Sequence, residues 1–256
     1  MTAQLLDLNT DLALVTGGSR GVGRAIALQL AAAGADVAIS YRRDKDSAVE
    51  VVEQIRRRGL RAHAVAADLS APAAAVELYG SCADALGPPT LLVCNAGIAS
   101  SGHSAADSTD AEYEKLWRVH FLSNIALARA ALPSMRQSGT GRIVFISSAY
   151  AALRPAGTGP YVAAKSALEA AAEVMAKEER AHGIRINIVA PGLVATDMGD
   201  RLVQAGGRYS SAADLDAESP FGRVCRPDDV ANVVLFALGS IASYVTAQRL
   251  VVDGGG

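Results

Sequence analysis

The chain has 256 residues, and its 24 Lys and Arg against 26 Asp and Glu leave a formal net charge of −2. Half of the residues are apolar and one fifth are charged, which excludes an intrinsically disordered chain. The near-neutral charge provides no field that would attract nucleic acid or an acidic membrane surface, so we expect neither as a partner. The apolar runs are far shorter than the roughly 20 residues that cross a bilayer.

The N-terminal segment and the cysteines indicate the compartment. Residues 1–11 lack a basic segment followed by an apolar one, so no export signal is visible and we expect a cytoplasmic protein. Cys82, Cys94 and Cys225 are widely spaced and match no zinc or redox motif, so we interpret them as reduced structural thiols. The histidines form no cluster with carboxylates or thiols, and no metal site is predicted.

Short apolar segments alternate with longer segments of helical period along the whole chain. The predicted strands are Leu12–Thr16, Asp36–Ser40, Arg61–Ala66, Thr90–Cys94, Arg142–Ser147, Ile184–Val189 and Arg249–Val252. The predicted helices cover residues 22–33, 45–58, 72–86, 111–137, 160–181 and 227–238. The strands are continuously apolar or β-branched, which suits a parallel sheet covered on both faces. The pattern predicts one doubly wound α/β domain over residues 1–256, with seven parallel strands.

One long segment, residues 192–226, is rich in glycine and has no clear element. An irregular segment of this length inside a compact domain is usually functional and often a lid. We therefore expect a mobile flap at about 192–226.

The first strand runs into a glycine-rich turn that opens the first helix. Gly17, Gly21 and Gly23 permit a tight turn, a close approach of the backbone to a ligand, and close packing of helix on strand. The free N–H groups and the dipole at the helix start favour a pyrophosphate. Because the turn stands between a strand and a helix, it predicts a dinucleotide site.

Further short motifs follow in a fixed order. They are Asp68-Leu69 after the third strand, Asn95-Ala96-Gly97 after the fourth, Ser148, Tyr161-x-x-x-Lys165, Pro191-Gly192 and Thr196. With the Gly-x-x-x-Gly-x-Gly turn, this chain resembles the classical short-chain dehydrogenase/reductase family from Leu12 to Gly255. The resemblance implies a Rossmann-type fold, a nicotinamide dinucleotide cofactor, and interconversion of a carbonyl and an alcohol.

The end of the second strand indicates which dinucleotide is bound. An NAD site places Asp or Glu there to accept hydrogen bonds from the ribose hydroxyls, whereas this chain has Arg42 and Arg43 and no carboxylate before Asp44. A guanidinium can bind a 2′-phosphate with two hydrogen bonds, and a carboxylate would repel it. Arg42, with Arg20 of the glycine turn in reach, predicts NADP(H). The alternative is that Arg42 and Arg43 are solvated loop charges.

The resemblance also implies individual cofactor contacts. In the family, the residue at Asp68 holds the adenine amino group, and the residue at Asn95 stabilises the central strand and the ribose. Lys165 would bind the nicotinamide ribose, and Thr196 the carboxamide. The full predicted set is Gly17, Ser19, Arg20, Gly21, Val22, Gly23, Arg42, Asp68, Leu69, Asn95, Ala96, Gly97, Tyr161, Lys165, Pro191, Gly192, Val194 and Thr196.

Three residues are predicted to carry the proton chemistry. Tyr161 and Lys165 are one helical turn apart, so both point to one face. An ammonium there stabilises a phenolate, and we expect it to lower the pKa of Tyr161 from about 10. The pair then suits carbonyl reduction or alcohol oxidation. Ser148, at the mouth of a central strand, can hydrogen-bond the substrate oxygen.

His120 departs from the family pattern. The helix before Ser148 usually carries an Asn at this place, part of a proton relay through a water near the lysine. Either the backbone carbonyl of His120 preserves the relay, or its neutral imidazole passes protons, or histidine is a tolerated replacement in a slower enzyme. Asn124, one turn further on, is not expected to replace the missing amide. His120 is included among the candidate catalytic residues.

These features together predict an NADP(H)-dependent oxidoreductase that interconverts a ketone and a secondary alcohol, with Tyr161 as proton donor and acceptor and a small molecule as substrate. One alternative is a 3-oxoacyl thioester reductase. It is weakened because Gly139 and His182 stand where such enzymes carry basic residues, although Arg136 is close. The other alternative is a non-catalytic NADP(H)-binding regulator or scaffold, which only His120 favours. The loop 98–107 and the flap should define the substrate's shape.

The last strand and two alanine-rich helices are the features of the sequence that bear on the oligomeric state. A strand at Arg249–Val252 would leave an exposed sheet edge in a monomer. The family resemblance implies that it packs against a second copy, and that the helices 111–137 and 160–181 form another two-fold interface. Two such interfaces predict a homotetramer, with a dimer as the second choice. The alternative is that the alanines pack inside one subunit.

Overall fold

Seven parallel strands among the described residues form one sheet. The computed structural model describes residues 6–205, 207 and 209–255. The strands are β1 (Leu12–Val15), β2 (Asp36–Tyr41), β3 (Ala62–Ala66), β4 (Leu91–Cys94), β5 (Gly141–Ile146), β6 (Ile184–Pro191) and β7 (Arg249–Val252). Their order across the sheet is β3-β2-β1-β4-β5-β6-β7, with every pairing parallel. The chain reverses its winding direction between β1 and β4, where α/β sheets bind ligands.

Helices cover both faces of the sheet. They are α1 (Gly21–Ala32), α2 (Lys45–Arg56), α3 (Pro72–Leu86), α4 (Asp110–Trp117), α5 (Ser123–Ser138), α6 (Tyr150–Leu153), α7 (Gly159–Glu179), α8 (Asp197–Ala205) and α9 (Pro227–Leu238). Shorter 3₁₀ turns span Arg180–His182, Ala212–Glu218, Pro220–Gly222 and Ser240–Ala242. Helices α1, α2 and α9 contribute to one apolar core, and α3, α5 and α7 contribute to the other. The predicted doubly wound fold with a seven-stranded parallel sheet is therefore confirmed.

The central strands β1 and β4 are apolar at every position because both of their faces are buried. On β5, Val144 packs into the core of α1, α2 and α9, whereas Ile143 and Phe145 pack into the opposite core. Side chains alternate across a strand, so a strand between two helical layers needs apolar residues at every position. Among the described helices, none has an apolar stretch that could span a membrane.

The structure differs from the sequence prediction at two places. The helix predicted at 111–137 is interrupted by a π-helical turn, Arg118–Leu122, between α4 and α5. The segment 192–226 contains α8 and two 3₁₀ turns instead of being irregular. Thr196 caps the N-terminus of α8, because its hydroxyl accepts a hydrogen bond from Gly199 N at 3.2 Å. Residues 1–5 and 256 of the predicted domain, and 206 and 208 of the predicted flap, lie outside the described residues.

Candidate active site

One cavity of about 380 Å³ opens at the carboxyl ends of the central strands. It is lined by the glycine turn, the ends of β2 and β4, the start of α7 and the first turns of α8. Every residue that the sequence predicted as catalytic or cofactor-binding lines this cavity. Sequence reasoning missed Tyr150, Leu193, Met198 and Leu202, which line it as well.

The glycine turn is packed so closely that side chains are excluded. Gly17 has φ +65°, and a Cβ on Gly23 would lie 2.1 Å from the carbonyl oxygen of Gly17. The turn is tied to the end of β2, because Gly17 N donates to Ser40 Oγ at 3.1 Å and Gly18 N to the Ser40 carbonyl at 2.9 Å. Backbone therefore lines the cavity at the start of α1, as a bound pyrophosphate requires. The residues present fit a dinucleotide.

Asn95 joins the ends of two central strands. Its Nδ2 donates to the carbonyl of Thr16 at 2.9 Å, and its backbone N donates to Thr16 Oγ1 at 2.9 Å. The backbone N of Ala96 donates to the same hydroxyl at 2.9 Å. These bonds fix β4 against β1 at the floor of the cavity.

The cationic residues at the end of β2 face solvent. Arg42 and Arg43 are both exposed. Hydrogen bonds from Ser70 hold the pKa of Asp68 below its usual value, and the two guanidinium groups act in the same direction. Arg20 forms an exposed ion pair of 3.3 Å with Asp197 at the start of α8, so it links the glycine turn to the flap.

Tyr161 and Lys165 project from the first turns of α7 into the cavity. Lys165 is 2% exposed, and its Nζ donates to the carbonyl of Ile146 at 2.6 Å and lies 5.8 Å from the centre of the Tyr161 ring. Burial lowers the pKa of Lys165 to about 8. Burial also raises the pKa of Tyr161 to about 12, against an opposing interaction with Ser148. The prediction of a lowered Tyr161 pKa is therefore wrong, because desolvation raises this pKa more than the hydrogen bond with Ser148 lowers it.

His120 lies in the π-helical turn and is buried against Tyr161. Its Nε2 contacts the Ile98 carbonyl at 2.8 Å and its ring meets the Tyr161 ring edge-on, with 5.0 Å between centroids. Burial and then the charge of Lys165 hold the pKa of His120 well below 6.5, so the imidazole is neutral. Its Nδ1 is buried and has no hydrogen-bond partner among the residues that the structure describes. Gly97 makes room for the ring, because a Cβ there would lie 2.7 Å from His120 Cε1.

Two side chains that follow the π-helical turn donate to its carbonyls, and the Arg118 carbonyl also accepts from the backbone N of Ser123. Ser123 Oγ donates to the carbonyl of Arg118 at 2.9 Å, and Asn124 Nδ2 donates to the carbonyl of His120 at 2.7 Å. Asn124 therefore binds the backbone of His120 and does not take the place of its side chain. π-Helical turns are frequent at functional sites, and this one directs His120 into the cavity.

The end of the cavity nearest α8 carries both apolar and charged side chains, the charged ones being Asp197 and Arg201. Met198 and Leu202 are one turn apart on α8, line the cavity, and are about two fifths exposed. Tyr150 lines the same cavity. The loop opposite is held by Glu112, whose carboxylate accepts hydrogen bonds from the Ser100 and Ser101 hydroxyls at 3.1 and 2.7 Å. The i, i+4 spacing of Met198 and Leu202 is the signal that could have revealed this wall.

Comparison with known proteins gives consistent matches over nearly the whole chain. Residues 17–256 match a family model described as enoyl-(acyl carrier protein) reductase. A short-chain type dehydrogenase/reductase of Picea abies is 35% identical, covering 97% of this chain and 93% of that protein. The L-rhamnose 1-dehydrogenase (NADP(+)) of Thermoplasma acidophilum is 33% identical, covering 98% of each chain. A blue fluorescent protein from a metagenomic library, solved with NADPH, has a TM-score of 0.88 and 36% identity, covering 97% of this chain and 98% of that one.

Proposed function

Because this chain belongs to the classical short-chain dehydrogenase/reductase family of oxidoreductases, we propose that it interconverts a ketone and a secondary alcohol with NADP(H). The observation that carries the proposal is the convergence of Ser148, Tyr161 and Lys165 on the cavity that the glycine turn also lines. A hydroxyl, a phenol and a buried ammonium there provide a hydrogen-bond donor, a proton donor and a positive charge.

The cofactor proposal rests on the two ends of the cavity. The glycine turn and the start of α1 would hold the pyrophosphate, and Arg42 would bind the 2′-phosphate with its exposed guanidinium. Asp68 would hold the adenine, and Lys165 and Thr196 the nicotinamide end. The bound nicotinamide supplies or accepts the hydride. NADP(+) in the name of the Thermoplasma relative and NADPH in the metagenomic structure support the choice.

Each site residue has a separate task in the proposed reaction. Tyr161 donates its phenolic proton to the substrate oxygen in reduction and takes it back in oxidation, while Ser148 hydrogen-bonds the same oxygen. Lys165, with a pKa of about 8, is largely an ammonium at neutral pH and stabilises the phenolate that proton donation leaves. Neutral His120 contacts the Tyr161 ring and holds the peptide of Ile98, so we assign it to positioning of the tyrosine.

The apolar side chains in the cavity wall support a ketone with an apolar part as the substrate. Met198, Leu202 and Tyr150 line it, and apolar side chains bind a substrate by excluding water from it. The 3-oxoacyl thioester alternative is less favoured. Arg136, which is close in sequence to Gly139, is engaged by both carboxylate oxygens of Glu179.

The experiment that tests this function compares Tyr161→Phe with the unmodified protein in single turnover of bound NADPH against a panel of ketones. We expect Tyr161→Phe to bind NADPH normally and to reduce ketones about 10²-fold more slowly or worse. Tyr244→Phe is the matched control, because it removes a phenolic hydroxyl that does not line the cavity. Near-normal reduction by Tyr161→Phe would refute the assignment. NADPH binding without turnover of any ketone or alcohol would favour the regulator or scaffold instead.

We also propose that the protein is a homotetramer. β7 is an edge strand with Val251 about half exposed, and Tyr244 beside it is fully exposed. Ala163, Ala170 and Val174 form an exposed stripe of small side chains on α7. Other alanines of the predicted interface pack inside the subunit; these are Ala128, Ala164 and Ala172. Light scattering tests the assembly, and the mass of a single 26.3 kDa chain would contradict it.

We propose a cytoplasmic location for the same protein. Cys82, Cys94 and Cys225 are unpaired in the structure, as expected in a reducing compartment. Fractionation of cells that express the protein tests the location.

A further inference from the structure

A largely buried ion pair lies behind the proposed catalytic residues. Arg249 of β7 donates from Nε to both carboxylate oxygens of Glu169 on α7, at 3.0 and 3.1 Å. The two side chains are only 22% and 14% exposed. Glu169 follows Lys165 by one helical turn and Tyr161 by two, so all three residues lie on one side of α7.

The ion pair also binds the segment that carries Ser148. Ser147 Oγ donates to Glu169 Oε1 at 2.6 Å, and Arg249 Nη2 donates to the carbonyl of Ser148 at 3.0 Å. The end of β5, the middle of α7 and the edge strand β7 are thereby joined through four polar groups. Ser148 comes from one of these elements, and Tyr161 and Lys165 come from another.

A stabilising role alone does not explain this arrangement. A buried ion pair recovers little more than the cost of desolvating its charges, and apolar residues of similar volume often replace one without loss of stability. The pair instead fixes the relative orientation of the elements that it joins, because a guanidinium binds a carboxylate and a carbonyl in fixed geometry.

We propose that Glu169 and Arg249 are positioning residues for the oxidoreductase reaction: Arg249 holds the Ser148 peptide against α7, and the charge of Glu169 keeps Lys165 an ammonium. The inference rests on the proposed function of the site. It assigns to the edge strand β7 a part in catalysis without contact with the substrate.

The charged and titratable groups around Lys165 support the second half of the proposal. From α7 it faces Glu169 and Tyr161, from β4 Cys94, and from the π-helical turn His120. Burial raises the pKa values of Tyr161 and Cys94 and lowers that of His120, so these three are neutral at pH 7. Among the described groups that face Lys165, Glu169 is thus the one that carries a negative charge, and it opposes the fall in the Lys165 pKa that burial causes.

Two single variants are expected to move the pH profile in opposite directions. Glu169→Gln keeps the shape and removes the charge, so the pKa of Lys165 falls and activity is lost at a pH about one unit lower. Arg249→Gln leaves the Glu169 charge uncompensated, so the Lys165 pKa rises and the alkaline fall of activity moves to higher pH. It also releases the Ser148 peptide, so kcat falls about tenfold. Arg249→Lys keeps the positive charge but lacks the planar guanidinium that binds Glu169 and the Ser148 carbonyl together. We expect it to restore the pH at which activity falls on the alkaline side, but not kcat. NADPH affinity stays within about twofold in all three.

The matched control is Glu179→Gln on the same helix α7, which breaks the ion pair that Glu179 forms with the half-exposed Arg136 of α5. Glu179 is also buried and ion-paired, but it lies almost four turns beyond Lys165. We expect it to lower stability and to leave the pH profile and kcat unchanged. An equal change in Glu169→Gln and Glu179→Gln would show a merely structural role and overturn the proposal.

A direct measurement separates this inference from the proposed function. The side chain of Lys165 is titrated by NMR in the unmodified protein and in Glu169→Gln, with Lys165→Arg used to assign its signal. A lower Lys165 pKa in Glu169→Gln is the expected result, whatever the substrate. An unchanged pKa overturns the inference even if Tyr161→Phe abolishes ketone reduction. If neither the unmodified protein nor any variant reduces a ketone, the proposed function fails. The titration alone then decides whether the charge of Glu169 raises the pKa of Lys165.

Discussion

A single added methyl group at Gly23 should weaken cofactor binding. A Cβ on this residue would lie 2.1 Å from the carbonyl oxygen of Gly17 and 2.5 Å from Nδ2 of Asn95. Ordinary contacts of this kind are 3.4 Å or longer, so the backbone of Gly17 must retreat by about 1 Å or more. Gly17 already has φ +65°. The turn that lines the cavity therefore cannot keep its shape in Gly23→Ala.

The size of the effect follows from the two opposing terms. Overpacking against backbone costs about 3 kcal/mol, the upper part of the usual range, and Ala in place of Gly in a helix returns about 1 kcal/mol. The net loss of about 2 kcal/mol corresponds to roughly 4–8 °C in Tm for a domain of this size. Gly80→Ala in α3 is the matched control, because nothing lies within 4 Å of its Cβ, and its Tm should rise by roughly 2–4 °C.

The assay is thermal unfolding followed by circular dichroism, together with titration of NADPH by fluorescence. Gly23→Ala should lose NADPH affinity more than about tenfold, whereas Gly80→Ala should bind as the unmodified protein does. An NADPH affinity in Gly23→Ala equal to that of the unmodified protein, with an unchanged or higher Tm, would refute the reasoning about the turn.

Three further predictions concern the cofactor, the core and the thiols. Arg42→Asp should weaken NADPH binding by about 1.5–3 kcal/mol and leave NADH binding nearly unchanged in calorimetric titration; equal affinities of the unmodified protein for both dinucleotides would contradict this. Arg142→Ala leaves the carboxylate of Asp11 buried without its ion-pair partner and should cost about 3–5 kcal/mol in urea unfolding, with NADPH affinity retained. Burial raises the pKa of Cys82 to about 12 and that of Cys94 further, so mass spectrometry should show neither alkylated by iodoacetamide at pH 8 before unfolding.

The fold and the cofactor end of the site could be predicted from the sequence because both depend on local patterns. β1 and β4 are buried at every position, and such a strand is recognisable as a continuous apolar run. The glycine turn from Gly17 to Gly23 is contiguous with the strand and the helix that define its context. Ser148, Tyr161 and Lys165 likewise stand at the ends of predicted elements, so the topology alone brings them to one edge of the sheet.

The electrostatic state of the site depended on contacts that no short window contains. The pKa of Tyr161 is raised to about 12 because protein atoms from several elements exclude water from it, and the spacing of Tyr161 and Lys165 could not show this. In the π-helical turn around His120, the side chains of Ser123 and Asn124 donate hydrogen bonds to backbone carbonyls. The helical periodicity of the sequence does not reveal these bonds.

The sequence by itself therefore determined the order of the strands along the chain, the class of the fold and the candidate catalytic and cofactor-binding residues that line the cavity. Only the tertiary structure decided which of those residues are charged and what holds them in place. Glu169 and Arg249 are 80 residues apart in the chain, and although Glu169 follows the Tyr-x-x-x-Lys motif by one turn, nothing in the sequence shows that Arg249 pairs with it. The physical reason is that hydrophobic periodicity is a property of each segment, whereas desolvation and ion pairing arise only when distant segments are packed together.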